Sequence, residues 1–333
     1  LFEDVCAQWL TSVKKTVRQS TYVKYHNICR KHLLPRLGKA PCRDLTAQKL
    51  NSLVEELRYS FKPLSDSSVR AVCTILNAIL RYAAFRNYAP DLPAVSVKSE
   101  KSPQIRVLSS RDQKRLIRYL LSDTDNGKIG ILICLYTGIR IGEICALRWD
   151  DIDTENKILT VNKTIQRLQY VSEREFPNQS GNDRPASGSK SHRSVYTMPA
   201  KDRCKTEFDL ECRNERKNEC KNQCKNSHYI NERKTHLQVD SPKSVHSNRM
   251  IPIPDFLCAV IEQNLNRIPG AYFLSNDLQR PVEPRTYQYR YKKYLREAGL
   301  PESNFHVLRH TFATHCVSLG FDTKTLSEIL GHS

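Results

Sequence analysis

Four short segments carry side chains suited to handling a phosphate ester. In Thr137-Gly-Ile-Arg-Ile-Gly-Glu143, running into Ala146-Leu-Arg-Trp149, Gly138 ends one helix and Arg140 falls in the first turn of the next. A cation there opposes the helix dipole, an unfavourable placement unless something negative joins it. A phosphate would be held by the guanidinium together with the free N–H groups of that turn. The competing partner is Glu143, one turn on. In Ser241-Pro-Lys-Ser-Val-His-Ser-Asn-Arg-Met-Ile-Pro252, the pattern reads as a hairpin with Lys243 near the tip end of its first strand. An ammonium there can reach into a groove and donate a proton, although a lone turn lysine is ordinarily only solvated. In His306-Val-Leu-Arg309 the spacing places imidazole and guanidinium on one helix face. Finally, Leu330-Gly-His-Ser333 ends a helix with a glycine and presents His332 just past it.

None of these segments is decisive alone. The His-x-x-Arg spacing recurs at His246-Ser-Asn-Arg249, and Gly188-Ser-Lys190-Ser-His-Arg-Ser echoes the lysine phrase. Lys243 is preferred to Lys190 because only the former continues into Arg-x-Ile-Pro.

The elements that must position these side chains are mainly helical. Residues 1 to about 90 read as amphipathic helices. One carries Tyr22, Tyr25, Ile28 and Cys29 and ends by Pro35 and Gly38; a second spans Asp44 to Leu57 and a third Ser67 to Phe85. Residues 91–108 lose periodicity and read as an extended linker. Ser110-Arg-Asp-Gln113 has the form of a capping box that opens a second domain, 109–333. Helices run on to about Trp149. A β-rich run from Lys157 to Ile165 follows, with short strands near Leu237–Val239 and Arg249–Ile253 flanking a turn. Helices then return over Phe256–Arg267, Thr286–Glu297, Phe305–Leu319 and Thr323–Leu330, with Gly320 and Gly331 at C′ positions. The fold class expected is therefore mainly α with a small antiparallel β-sheet: an all-helical N-terminal domain followed by an α+β domain.

A charged stretch of about 170–236 interrupts that plan as an insertion. Its Cys204, Cys212, Cys220 and Cys224, with His228, fall at multiples of four but form no Cys-x-x-Cys knuckle, so no metal site is assigned. The other eight cysteines are scattered through apolar stretches, which fits free thiols in a reducing cytoplasm. The formal net charge of +18, from 53 Lys and Arg against 35 Asp and Glu, calls for a polyanionic partner, nucleic acid first. A membrane partner is not expected, because the longest apolar stretch, Ile129–Ile139, is far shorter than a bilayer span. Glu3 and Asp4 sit where a signal peptide would be basic.

The four segments, in this order, resemble the phage integrase family, the tyrosine recombinases. Their phrasing is closest to integrases of conjugative transposons and Gram-positive phages. Thr21-Tyr-Val-Lys-Tyr25 and Leu34-Pro-Arg-Leu-Gly38 resemble that family's core-site-binding domain. The resemblance implies site-specific recombination of a mobile element's DNA, by strand cleavage and rejoining through a 3′-phosphotyrosyl intermediate. It implies that Arg140 and Arg309 clamp the scissile phosphate and that Lys243 protonates the leaving 5′ oxygen. It also implies that His306 assists proton transfer or contacts the phosphate, that His332 hydrogen-bonds the phosphate, and that Glu143 orients its neighbours. Neither metal nor nucleotide cofactor is required. The partners that the resemblance implies are double-stranded core-site DNA and further copies of the chain in a homotetramer. Arg18, Thr21, Lys24 and Arg70 are the residues chosen for phosphate contacts in the first domain.

The nucleophilic tyrosine of the family should follow Leu330-Gly-His332 within about ten residues, beyond Ser333, so residues 1–333 are expected to be inactive in cleavage. Tyr287, Tyr289, Tyr291 and Tyr294 read as packing or DNA-facing residues. The family's arm-binding module is not seen, and the chain begins at Leu1. The alternative is a non-catalytic accessory protein or repressor on the same fold, which would have no need of a proton donor at Lys243.

Overall fold

Apolar side chains at three- and four-residue spacing build both halves of the protein. A computed structural model describes residues 1–88, 94–97, 106–171, 235–240, 248–263 and 267–331, together with the backbone of 195–196. The chain divides into two compact units, residues 1–104 with 168–191 and residues 105–167 with 192–333.

In the first unit, α1 (Phe2–Lys14), α2 (Gln19–Ile28), α3 (Leu34–Leu37), α4 (Ala47–Tyr59) and α5 (Asp66–Phe85) bury Phe2, Trp9, Leu33, Leu50, Leu57, Leu76 and Ile79. A π-helical turn, Cys29–Leu33, joins α2 to α3, with the Leu34 N–H reaching back five residues to the Cys29 carbonyl. Pro35 follows at once and has no N–H to continue the α ladder, so the expected single helix is remade there. Thr46 and Ser65 cap α4 and α5 by accepting from the N–H groups of Lys49 and Ser68. Helix α5 is long and apolar enough to cross a membrane by length and composition. Its apolarity is accounted for by packing, since Val69, Val72, Ile75, Leu76 and Ile79 all lie in the core. Part of the expected linker is ordered onto the same helix: Asn77 brackets Val95 with two hydrogen bonds of 2.8 and 2.9 Å, and Val95 is buried.

The second unit opens with α6 (Ser110–Ser122), α7 (Asn126–Thr137) and α8 (Ile141–Ala146). The cap of α6 is Ser109, one residue earlier than expected; its hydroxyl accepts from the Asp112 N–H and donates to the Asp112 carboxylate. Helix α7 is apolar on all sides because it is the centre of this unit, with Ile129 and Ile131 to Cys134 all buried. Around it lie α9 (Asp255–Glu262), α10 (Pro284–Glu297), α11 (His306–Ser318) and α12 (Thr323–Leu330). Tyr287 and Tyr291 of α10 are fully buried against Phe305, and the Tyr287 hydroxyl donates to the Gly127 carbonyl at 2.8 Å. Tyr294 is buried too, whereas Tyr289 is exposed.

The strands form two small sheets. The first has the order β1 (Ile152–Asp153), β2 (Ile158–Val161), β6 (Arg249–Pro252), all antiparallel. The second has the order β3 (Thr164–Gln169), β5 (Thr235–Asp240), β4 (Val195–Tyr196). The expected hairpin around Lys243 is thereby corrected, since β5 and β6, which flank it in sequence, belong to different sheets. The cause is register: β6 pairs Ile251 with Leu159 and Arg249 with Val161, burying Ile251, Leu159 and Val161, so β2 takes the place assigned to β5. The expected insertion supplies β4; its Cys204, Cys212, Cys220, Cys224, His228 and Lys190 lie outside the described residues. The eight remaining cysteines are free thiols, all buried.

Candidate active site

Gly138 ends α7 in the left-handed conformation (φ +66°), and its N–H donates to the Cys134 carbonyl. A Cβ there would lie 2.5 Å from Phe312 and 2.8 Å from Leu330, so the close approach as well as the φ requires glycine. The chain turns through Ile139 into Arg140, which is extended (φ −78°, ψ 154°) and stands as the N-cap of α8. The Glu143 carboxylate accepts from the Arg140 backbone N–H at 2.8 Å and from its Nη1 at 2.9 Å. The dipole conflict expected for Arg140 is resolved by that carboxylate. The N–H groups of Arg140 and Glu143 are occupied, by the Glu143 carboxylate and by the Arg140 carbonyl, beside the Arg140 guanidinium.

Arg309 lies one turn into α11 and is buried, 4% exposed. Its Nη1 donates to the Gly138 carbonyl at 2.8 Å and its Nη2 to the Leu330 carbonyl at 2.7 Å. Arg140 Nη2 donates to the next carbonyl, Gly331, at 3.0 Å. A third arginine joins them: Arg249 Nε donates to the preceding carbonyl, Ile329, at 2.6 Å, while its two Nη groups hold the Glu143 carboxylate at 2.9 and 3.3 Å. Three consecutive carbonyls at the negative end of α12 are thus each held by a different guanidinium.

The electrostatics follow from this crowding. Burial pushes Arg309 down from its usual value to about 10; Arg140 and Arg249 add to the fall, and Glu143 opposes it. Arg309 therefore remains charged at neutral pH. For Glu143, burial favours the neutral acid, but the hydrogen bond and charge of Arg249, with those of Arg140, outweigh it and hold the carboxyl below its ordinary value. Among the described residues the cluster contains three guanidiniums and one carboxylate, an excess of positive charge suited to an anion with several oxygens.

His306 begins α11 and is exposed, with its ring edge-on to His310 at 4.8 Å between centroids. The cluster therefore brings together Arg140, Glu143 and Arg309, with His306 one turn before Arg309 at the surface. Lys243 and His332 lie outside the described residues. In the first unit Arg18, Lys24 and Arg70 are exposed and Thr21 is half-buried; Arg18 caps α2, and Thr21 and Lys24 follow at three-residue spacing.

The family models agree with the motif order. The model described as "Phage integrase family" matches residues 106–179 and 197–333, and "Phage integrase, N-terminal SAM-like domain" matches residues 1–58. The chain belongs to the phage integrase family. A tyrosine recombinase XerC-like protein of Caldanaerobacter subterraneus subsp. tengcongensis is 23% identical, over 99% of this chain and 75% of that protein. The integrase of transposon Tn1549, solved with a circular intermediate DNA, shares the fold at a TM-score of 0.67 and 16% identity, covering 99% of this chain and 91% of that one. Lambda integrase, solved as a tetramer on a Holliday junction, does so at 0.58 and 14%, covering 98% and 76%. The mainly helical fold with small antiparallel sheets is the one these integrases have, and the membership supports a site-specific DNA recombination enzyme.

Sequence reasoning gave Arg249 no role, quoting it in the continuation of the Lys243 phrase and as a second His-x-x-Arg instance. A signal was present. On β6, Arg249 shares the period-two face of buried Ile251, and a charged residue on the buried face of a strand must have a built partner.

Proposed function

We propose that this integrase carries out site-specific recombination of a mobile element's DNA, with the arginine cluster as the seat of the scissile phosphate. The observation that carries the reading is the convergence of Arg140 and Arg309, with Glu143, at the end of α12. In this scheme the two guanidiniums hold the non-bridging oxygens and stabilise the charge of the pentacoordinate transition state. A tyrosine oxygen attacks phosphorus, the bond to the 5′ oxygen breaks, and Lys243 gives that oxygen its proton. His306, at the mouth of the same helix, and His332 act on the nucleophile's proton and the phosphate. Glu143 orients Arg140. The bond energy is kept in the 3′-phosphotyrosyl link, so resealing needs no nucleotide.

The partner is duplex DNA bearing a core site. Arg18, Thr21, Lys24 and Arg70 make phosphate contacts from the first unit, and the assembly on DNA is a homotetramer, as the lambda integrase complex is. The compartment is the cytoplasm. Tyr287 and Tyr291 are committed to the core and are not the nucleophile; in this reading residues 1–333 alone bind the duplex without forming a covalent adduct.

A nicked suicide duplex tests both statements. Residues 1–333 should give a retarded complex and no covalent band. Adding a small external nucleophile, hydrogen peroxide or phenol, should restore cleavage at one phosphate, and Arg309→Ala should abolish it. A covalent band without additive would overturn the assignment of the tyrosine. Tight binding without rescued cleavage would instead favour a DNA-binding accessory protein.

A further inference from the structure

Arg249 has no part in the recombination scheme above, yet it is the most completely engaged guanidinium in the cluster. Its side chain is only 6% exposed. Its backbone is fixed in the ladder of β6 with Val161 of β2, so the guanidinium is delivered from a rigid element. Nε takes the Ile329 carbonyl, and Nη1 and Nη2 grip Glu143 side by side. The Glu143 carboxylate then has its lone-pair directions filled, two by Arg140 and two by Arg249.

The C-terminal carbonyls of α12 account for the rest. Those of Ser327 and Glu328 receive the Gly331 N–H; Ile329 receives Arg249 and Leu330 receives Arg309. Gly331 sits here in the left-handed conformation (φ +64°), and a Cβ on it would crowd the Arg249 guanidinium at 3.1 Å. A charged side chain so deeply buried is an expensive way to fill space, and an aliphatic one would serve packing better.

We infer that Arg249 is a positioning residue: from β6 it fixes Glu143, and through it Arg140, against the end of α12, setting the geometry in which Arg140 and Arg309 meet one phosphate. The inference rests on the phosphate-clamp reading above. It assigns Arg249 no contact with DNA.

The test is a binding cycle that needs no chemical step. A core-site duplex is selected from a randomised pool by the wild-type chain, and a single methylphosphonate, which removes one phosphate charge, is walked across its centre. Wild type should lose about tenfold in affinity at one position, the loss of a charge-assisted bidentate contact. Arg140→Ala should abolish that loss. Arg249→Met, in the folded fraction verified by its unfolding curve, should reduce the loss to about threefold or less while leaving the other positions unchanged. Arg249→Lys, which keeps the charge but not the three-point grip, should fall between the two and secures the test if the methionine variant does not fold. Undiminished loss at that position in both folded variants would overturn the positioning role. If wild type shows no sensitive position, or Arg140→Ala leaves it intact, the clamp reading itself fails.

Discussion

A carboxylate surrounded by two arginines, itself almost out of reach of water, makes Glu143 the residue on which the cluster's electrostatics turn. Glu143→Gln keeps the shape and one acceptor but removes the only carboxylate holding Arg140 and Arg249 among the described residues. It should cost about 3 kcal/mol in urea unfolding at neutral pH, the scale of breaking one side of a buried ion pair. The pH dependence has a definite sign. Because the folded carboxyl is held below its ordinary 4.5, its contribution is fully present above that value and is lost as pH falls through the lower folded one. The difference between wild type and Glu143→Gln should be flat around neutrality and shrink only in acid; a difference that grew as pH fell would contradict the ion-pair account. At this scale the sequence was partly legible. Arg140, Glu143 and Arg309, named from the order of the motifs and the family they resemble, lie together at the end of α12. Arg249 was given no role, because the one local signal, the strand face it shares with Ile251, names no partner, and the carboxylate it meets lies 106 positions away.

Gly138 links the residue scale to that of the elements, since one carbonyl both ends α7 and receives Arg309. Gly138→Ala adds a Cβ at positive φ and 2.5 Å from Phe312. The two penalties together should cost about 2–4 kcal/mol in chemical denaturation. The same substitution should also blunt the response to the neutralised phosphate, because Arg309 moves with its acceptor. A stable variant with full response would show that the turn has slack. Helices were legible wherever one face was apolar: α4, α5, α10, α11 and α12 lie within a few residues of where their spacing placed them. Strand pairing was not, because β5 and β6 each carry a short alternating pattern compatible with more than one neighbour. Only the burial of Ile251 and Leu159 on a common face selects β2 for β6.

For the whole molecule, the excess of 18 positive charges sets how it meets a polyanion at all. Lys24 is exposed on α2, away from the core that α2 helps to build. Lys24→Ala should weaken binding to specific and random duplexes alike and reduce the slope of log affinity against log salt by about one. A change in site preference at constant affinity would instead mean that Lys24 reads bases. The overall plan, a helical unit followed by a mostly helical unit with small sheets, was legible in the composition and punctuation of the chain. The ordering of Val95 on α5 was not, since it depends on a pair of hydrogen bonds from Asn77 that no periodicity announces.

The run of carbonyls at Ile329, Leu330 and Gly331 has one more consequence. Two of the three guanidiniums that hold it are the same two assigned to the phosphate. An anion that shifts Arg140 or Arg309 therefore acts on the end of α12 as well, and by reciprocity whatever shifts that end changes the grip on the anion by an equal free energy. Substrate and polypeptide are in that sense linked ligands of one pair of side chains, with Arg249 tying the pair to β6.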